Sequence, residues 1–200
     1  HAASTQVPKL AALSMLGRSA EALECGQRVR DQFIAAGDEA AAGKVEVNLG
    51  SMLLHQGRAA ESAPHYRQAA VRFARAGDRQ HSVLADIGLA TALTWQFEFE
   101  EAERLYERAG RRIEAHGLGL LRGVVDSNRG QLEMHRGRYA PALRWLTSAL
   151  AAYEAHGLPA RVAEARRELA DAYLALNLLP EAVALYDRAI AECHAAGASV

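Results

Sequence analysis

The sequence repeats its pattern every forty residues. When the chain is written in rows of that length, glycine recurs in one column with no insertion or deletion, at Gly37, Gly77, Gly117, Gly157 and Gly197. The stretch EAHGL also occurs twice, at 114–118 and at 154–158. A fixed period of this length is the signature of a repeat protein, in which each unit is a supersecondary element that stacks on the next.

A second column of turn residues lies half a period away. Its members are Gly17, Gly57, Phe97, Gly137 and Asn177. Glycine and asparagine tolerate the left-handed backbone that ends a helix, and the segments between the two columns are rich in the helix formers Ala, Leu, Arg and Glu. Each row is therefore predicted to be helix, turn, helix, turn. Pro64 predicts a late start or a kink in its helix.

The second helix of each row is predicted to bury one face, because its small and large residues recur at steps of four, three and four. The small columns are Ala22, Ser62, Ala102, Ala142 and Ala182, and Val29, Ala69, Ala109, Ala149 and Ala189. The larger columns are Gly26, Tyr66, Tyr106, Leu146 and Tyr186, and Phe33, Phe73, Ile113, Tyr153 and Cys193.

The first helix of each row has its own packing columns. A close-approach column comprises Leu10, Gly50, Ala90, Gly130 and Ala170, and three residues later stand Leu13, Leu53, Leu93, Glu133 and Tyr173. Glu133 and Arg129 depart from the apolar pattern. The fourth row is therefore expected to bury Val125, Leu132 or Met134 instead, and to be the weakest of the five.

Composition excludes several classes of protein. Half of the residues are hydrophobic and the formal net charge is -1, which indicates a folded chain with no general attraction to nucleic acid or to anionic membranes. We find no run apolar enough for a transmembrane helix and no signal peptide at the start, so a cytoplasmic location is expected. Cys25 and Cys193 are too few for a disulfide framework. The strong preference for Arg over Lys favours a bacterial source.

The order of small and large columns resembles the tetratricopeptide repeat (TPR) family. Row two has Leu49, Gly50, Leu53, Gly57, Arg58, Tyr66 and Ala69, and row five has Leu169, Ala170, Tyr173, Ala182, Tyr186 and Ala189. The resemblance implies an all-α, right-handed superhelix of about five antiparallel helical hairpins. Its forty-residue unit looks like the longer repeats of kinesin light chains and of large bacterial signalling proteins.

The whole chain, 1–200, is predicted to be a single array, and Pro8 interrupts its opening helix. The predicted repeats are roughly 1–37, 38–77, 78–117, 118–157 and 158–197, taken from a longer protein.

The resemblance also implies that the first helices line a concave groove that binds a peptide or a partner helix. The candidate groove residues are Lys44, Asn48, Ser51, His55, Thr91, Trp95, Asn128, Gln131, His135, Arg167 and Asp171. Asn48 and Asn128 share a column, where a carboxamide looks like a clamp on a ligand backbone, since it both donates and accepts hydrogen bonds. Trp95 could instead fill the corner beside Phe97. The alternative for all eleven is an ordinary solvated helix face.

Motifs for chemistry are absent: the sequence has no GK[ST], HExxH, CxxC or GxSxG. His116 and His156 share a column, but histidine near a helix end is favoured by the helix dipole, so we interpret the pair as capping residues. No enzymatic activity, cofactor or metal is predicted.

The sequence leaves two main functions open: a protein-binding scaffold, or the regulatory segment of a larger bacterial signalling protein with an attached protease-like or transcription-activator domain. A third alternative, an enzyme or metal protein built on a helical solenoid, is disfavoured.

Overall fold

The computed structural model describes residues 9, 12–13 and 16–195, and within them it contains helices and short turns but no strand. The nine helices of this part are α1 (Ser19–Ala35), α2 (Glu39–His55), α3 (Ala59–Arg75), α4 (Arg79–Trp95), α5 (Phe99–His116), α6 (Arg122–His135), α7 (Tyr139–Ala155), α8 (Pro159–Ala175) and α9 (Leu179–Ala195). A short 3-10 turn, Gly119–Leu121, precedes α6. The predicted all-α architecture of helical pairs is confirmed.

Helices end at a left-handed residue that recurs every twenty positions. Seven of these are glycines with φ between 62° and 74°: Gly17, Gly37, Gly57, Gly77, Gly117, Gly137 and Gly157. At the end of α1, the Gly37 amide donates to the Ile34 carbonyl at 3.0 Å and the Asp38 amide donates to the Phe33 carbonyl at 2.9 Å. This pair of bonds is the Schellman motif, which satisfies carbonyls that the helix leaves without a partner.

Phe97 and Asn177 complete the series as the two residues other than glycine with positive φ in the described part of the chain, at 63° and 58°. Both make the same pair of hydrogen bonds as the glycines. Asparagine tolerates this backbone, whereas phenylalanine is strained in it. The repeated turn geometry therefore imposes on Phe97 a backbone conformation that phenylalanine disfavours.

At two of the turns, the residue after the left-handed position is an aspartate that caps the next helix. Asp38 accepts a hydrogen bond from the Ala41 amide at 2.9 Å, and Asp78 accepts one from the His81 amide at 3.0 Å. An aspartate in this position satisfies one of the free amides of the first helical turn. The turns between α1 and α2 and between α3 and α4 thus end one helix and cap the following one.

Residues 1–105 form one compact unit. Within it α2 packs against α1 and α3, and α4 packs against α3. The Tyr66 ring fills the seam: a Cβ added at Gly50 would lie 3.1 Å from that ring and one added at Gly88 only 2.3 Å from it. Leu49 and Leu53 are buried within an apolar core cluster of the same unit. Small residues opposite large ones therefore set the spacing of these helices, as the columns predicted.

Residues 106–200 form a second compact unit. Here α7 packs against α6 and α8, and α9 packs against α8. Gly123 lies against the Tyr153 ring and Gly130 against Leu146, each too close for an added Cβ. The same rule of small against large residues builds both units.

Two expectations need correction. The late start predicted from Pro64 is wrong: α3 begins at Ala59, in register with the other second helices. The Ser62 hydroxyl donates to the Gly50 carbonyl at 2.7 Å, which ties this first turn to α2. Row four buries Val125 and Leu132 as expected and half-buries Met134, but Glu133 is buried too, with 4% exposed.

Three members of the predicted columns cannot be placed. Leu10 and Gly197 lie outside the described residues, as does the side chain of Cys193.

Candidate functional site

The eleven groove residues lie on α2, α4, α6 and α8, and none of their side chains is buried. Lys44, Asn48, His55, Trp95 and Arg167 are exposed, and Ser51, Thr91, Asn128, Gln131, His135 and Asp171 are half-buried. The opposite faces of the same helices carry the buried packing columns. We name the first set, by unit, the first groove face (Lys44, Asn48, Ser51, His55, Thr91, Trp95) and the second groove face (Asn128, Gln131, His135, Arg167, Asp171).

On the first groove face, four residues of α2 recur at steps of four, three and four, which puts them on one side of the helix. Ser51 hydrogen-bonds to the buried Tyr66, whose pKa is raised by burial and lowered in part by that bond. Thr91 donates to the Ile87 carbonyl of its own helix at 3.0 Å. Since α2 and α4 contact each other, the two sets of side chains lie on neighbouring helices.

Trp95 is the last residue of α4 and is 57% exposed. A large aromatic side chain held open to solvent at the end of a helix suits contact with a ligand. The other large side chain there, Phe97, is 70% exposed and lies edge-on to Phe99, with ring centroids 5.9 Å apart.

On the second groove face, several side chains already bind each other. Arg167 donates to Asp171 at 2.7 Å, and the Tyr186 hydroxyl donates to the same carboxylate at 2.5 Å. That hydrogen bond raises the pKa of Tyr186. Asn128 donates through Nδ2 to the Val124 carbonyl at 2.7 Å, so its amide nitrogen is engaged within α6.

Glu168 connects α6 and α8 beneath this face. It accepts a hydrogen bond from the Ser127 hydroxyl at 2.5 Å and a further one from Gln131, and it is 8% exposed. Burial raises the pKa of its carboxyl, while these hydrogen bonds act in the opposite direction. Burial also lowers the pKa of His135, which favours the neutral imidazole.

Sequence reasoning missed a column of buried acids on the first helices: Glu46, Asp86 and Asp126, all at most 2% exposed. Glu46 lies 2.6 Å from His65 and 3.6 Å from Arg30, on the helices at either side of it. Asp126 accepts from Ser148 at 2.7 Å and from Arg122 at 3.0 Å. Their forty-residue spacing could have revealed them, because acids that recur with the repeat indicate a polar contact between neighbouring helices.

The described residues contain no group of three or more His, Cys, Asp or Glu side chains arranged to hold a metal ion. His116 is the last residue of α5 and His156 directly follows α7, so both stand at helix ends. Among the described helices, none combines the length and the apolarity needed to cross a membrane.

Two family models match the chain, both described as tetratricopeptide repeat. One covers residues 121–191 and the other residues 88–116, which together make half of the sequence. No match is found among curated proteins.

Solved structures show the same fold. A Rap protein complexed with Competence and Sporulation Factor is 17% identical with a TM-score of 0.81, and the match covers 93% of this chain and 52% of that chain. A putative kinesin light chain from Podosopora anserina is 18% identical with a TM-score of 0.72, covering 97% and 95%. The quorum sensor NprR from B. thuringiensis is 18% identical with a TM-score of 0.68, covering 91% and 51%.

The chain thus spans about half the length of the Rap protein, and identities this low carry the fold alone. The family models, the helical pairs and the turns that recur every twenty residues all indicate the same repeat fold. The chain therefore belongs to the tetratricopeptide repeat family.

Proposed function

We propose that this chain is a protein-binding scaffold whose groove faces bind an extended peptide or a partner helix. The observation that carries the proposal is the division of the first helices: one side is buried by the packing columns, and the other holds polar side chains in register and an exposed tryptophan. A series of polar groups on rigid helices suits recognition of a polypeptide backbone. The proposal assigns binding, and no reaction, to the chain.

Asn48 is the central contact of the proposal. Its carboxamide is exposed and, within the described part of the chain, it hydrogen-bonds to no other residue, so both donor and acceptor can serve a ligand. Asn128, in the same column, already uses its amide nitrogen in α6. We therefore expect Asn48 to contribute more to binding than Asn128.

Peptides selected from a random display library against the wild-type chain provide the test. Asn48→Ala combined with Asn128→Ala should weaken binding of selected peptides about tenfold, because a peptide backbone loses a hydrogen bond at each site. Asn48→Ala alone should account for most of that loss. Helix content by circular dichroism should not change.

Gln68→Ala provides a matched control, because Gln68 is an exposed carboxamide on the second helix α3. This variant should bind the peptides like the wild type. Equal binding by all the variants would remove the groove faces as the ligand site.

A second candidate function is a regulatory segment of a larger bacterial signalling protein. It is favoured by coverage: the chain matches only 52% of the Rap protein and 51% of the quorum sensor NprR. The full-length gene decides between the two. An adjoining protease-like or DNA-binding domain would support regulation, and a gene that encodes only further repeats would exclude it.

A further inference from the structure

Arg129 occupies a position where three other rows have a buried leucine. Leu49, Leu89 and Leu169 stand in the same column and are at most 6% exposed. Arg129 is half-buried, and its guanidinium carbon lies 3.9 Å from the ring centroid of Trp145. A charged group in a packing column costs stability unless something binds it.

A cavity of about 210 Å³ lies beside Arg129, between α5 and α6 of the second unit. Its lining comprises Glu107, Gly110, Arg111, Glu114, Arg122, Val125, Asp126 and Arg129. A Cβ added at Gly110 would meet no atom within 4 Å, so packing does not require glycine there. The other rows have Arg30, Ala70, Leu150 and Ile190 in this column, so Gly110 is its smallest member.

The lining contains three arginines and three carboxylates, and the ion pairs among them leave out Arg129. Arg122 binds Asp126 at 3.0 Å and Glu114 at 2.8 Å. Arg111 lies 3.9 Å from Glu107. Arg129 forms no ion pair with any carboxylate of the described residues, and its contact there is with the Trp145 ring.

We propose that this cavity binds the carboxylate group of a ligand, such as an acidic side chain, with Arg129 as its partner. The planar guanidinium presents donors that fit the two oxygens of a carboxylate. The ring beneath holds the guanidinium in place, which lowers the entropy lost on binding. A volume of about 210 Å³ holds several waters, since one water occupies about 30 Å³ in the liquid, so a small carboxylate group fits.

The three acids in the lining favour a carboxylate over a phosphate group. Glu107, Glu114 and Asp126 repel any anion, but they repel a phosphate dianion about twice as strongly as a carboxylate monoanion, which Arg129 can neutralise alone. The cavity is separate from the groove faces, so this proposal does not depend on the proposed function.

Tryptophan fluorescence tests the proposal, because Trp145 lies under the guanidinium. Sodium glutarate and sodium propionate are titrated at constant ionic strength set with sodium chloride, using the whole chain. A saturable fluorescence change at millimolar concentration is expected in the wild type and should be absent from Trp145→Phe. The same carboxylates should raise the melting temperature of the wild type.

Two variants locate the site. Arg129→Leu should weaken glutarate binding at least tenfold, as should Gly110→Leu, which places a bulky side chain in the cavity and leaves Arg129 and Trp145 in place. In either variant the loss is read from the melting-temperature shift as well as from fluorescence, so a variant that does not fold is recognised. Arg144→Leu, at an exposed arginine on α7, should bind glutarate like the wild type.

The proposal is overturned by a linear response that chloride reproduces, by saturation with sodium phosphate but not with carboxylates, or by undiminished glutarate binding in Gly110→Leu.

Discussion

The two units of the chain use the same columns but fill them with different chemistry. In the first unit, Leu49 and Leu53 on α2 are 0% and 1% exposed and form part of an apolar core cluster. In the second unit, the same columns on α6 contain Arg129 and Glu133. Glu133 is nevertheless buried, 3.2 Å from Arg136 and 3.1 Å from Arg138.

This difference separates what specifies the fold from what stabilises it. The turns and the contacts of small with large residues are present in both units, so they are sufficient to place the helices. The apolar filling of the seam is not required at every layer. Because buried ion pairs seldom stabilise as much as well-packed hydrophobic residues, we expect the second unit to be the less stable one.

The largest effect is expected where the apolar seam is broken. Leu53→Ala removes a side chain that is 1% exposed, and the loss of burial plus the cavity left behind should lower the free energy of unfolding by about 2–5 kcal/mol. Urea denaturation followed by circular dichroism measures this. Leu54→Ala, at the half-buried neighbouring position, should cost clearly less. Equal losses would mean that the leucine column does not form the seam.

The comparison becomes sharper if the polar seam is converted to the apolar one. Arg129→Leu gives the second unit the leucine of the other rows. It should raise the free energy of unfolding by about 1–2 kcal/mol, because a packed hydrophobic residue replaces a half-buried charged group that lies in a packing column. The lost contact with Trp145, worth about 0.5–1 kcal/mol, limits the gain.

A decrease in stability for Arg129→Leu would show that the seam of the second unit is adapted to its arginine. If Arg129→Leu is instead more stable and also loses carboxylate binding, the native arginine lowers stability in exchange for ligand binding.

Much of this fold could be predicted from the sequence, because its main determinants are periodic. The glycine columns predict where helices end, and the backbone is left-handed at every described member, including Phe97 and Asn177. The burial of Glu133 could not be predicted, since its partner Arg138 lies outside α6, in the turn that follows it. An ion pair between a helix and the turn after it produces no periodic pattern in the sequence.

The candidate site was less accessible to sequence reasoning. The register predicts which side of α2 faces away from the core, and Asn48 and His55 are indeed exposed. It does not predict that Asn128 is engaged with the Val124 carbonyl, because Asn48 in the same column is not engaged in this way. The cavity beside Gly110 could not be predicted either, because a sequence pattern does not show whether neighbouring side chains occupy the space next to a glycine.

The turn positions allow the units to be compared at a third site. Phe97 in the first unit and Asn177 in the second both replace glycine in the left-handed conformation, at φ 63° and 58°. Phe97→Gly should raise the free energy of unfolding by about 1 kcal/mol, since a left-handed backbone costs most residues about 1–2 kcal/mol. Asn177→Gly should change it by only a few tenths, because asparagine tolerates this backbone.

Thermal denaturation of the two single variants measures these changes. If Phe97→Gly is destabilising instead, the exposed ring and its contact with Phe99 contribute more than the strain costs. In that case the packing of the Phe97 ring would offset its backbone strain, and replacing Phe97 with glycine would bring no more stability than replacing Asn177.

Glu168 gives the smallest expected effect, and its sign follows from its burial. Burial raises the pKa of the Glu168 carboxyl above 4.5, while the hydrogen bond from Ser127 and the charge of Arg167 act in the opposite direction. Between 4.5 and the raised pKa, the folded chain holds a proton that the unfolded chain has released. Stability contributed by this group therefore falls as the pH rises through that window.

Glu168→Gln keeps an oxygen that can accept the Ser127 hydrogen bond, but it carries no charge. The variant should gain stability relative to the parent as the pH rises from about 4 to about 8, and urea denaturation of both proteins across this range measures the difference. Taking the difference matters because the lowered pKa of His135 has the opposite sign: its protonation in the unfolded chain makes stability rise with pH below 6.5. If the difference in the free energy of unfolding stays constant with pH, the ionised Glu168 carboxylate does not destabilise the folded chain. Buried polar groups of the second unit would then lower its stability less than the comparison with Leu49 and Leu53 implies.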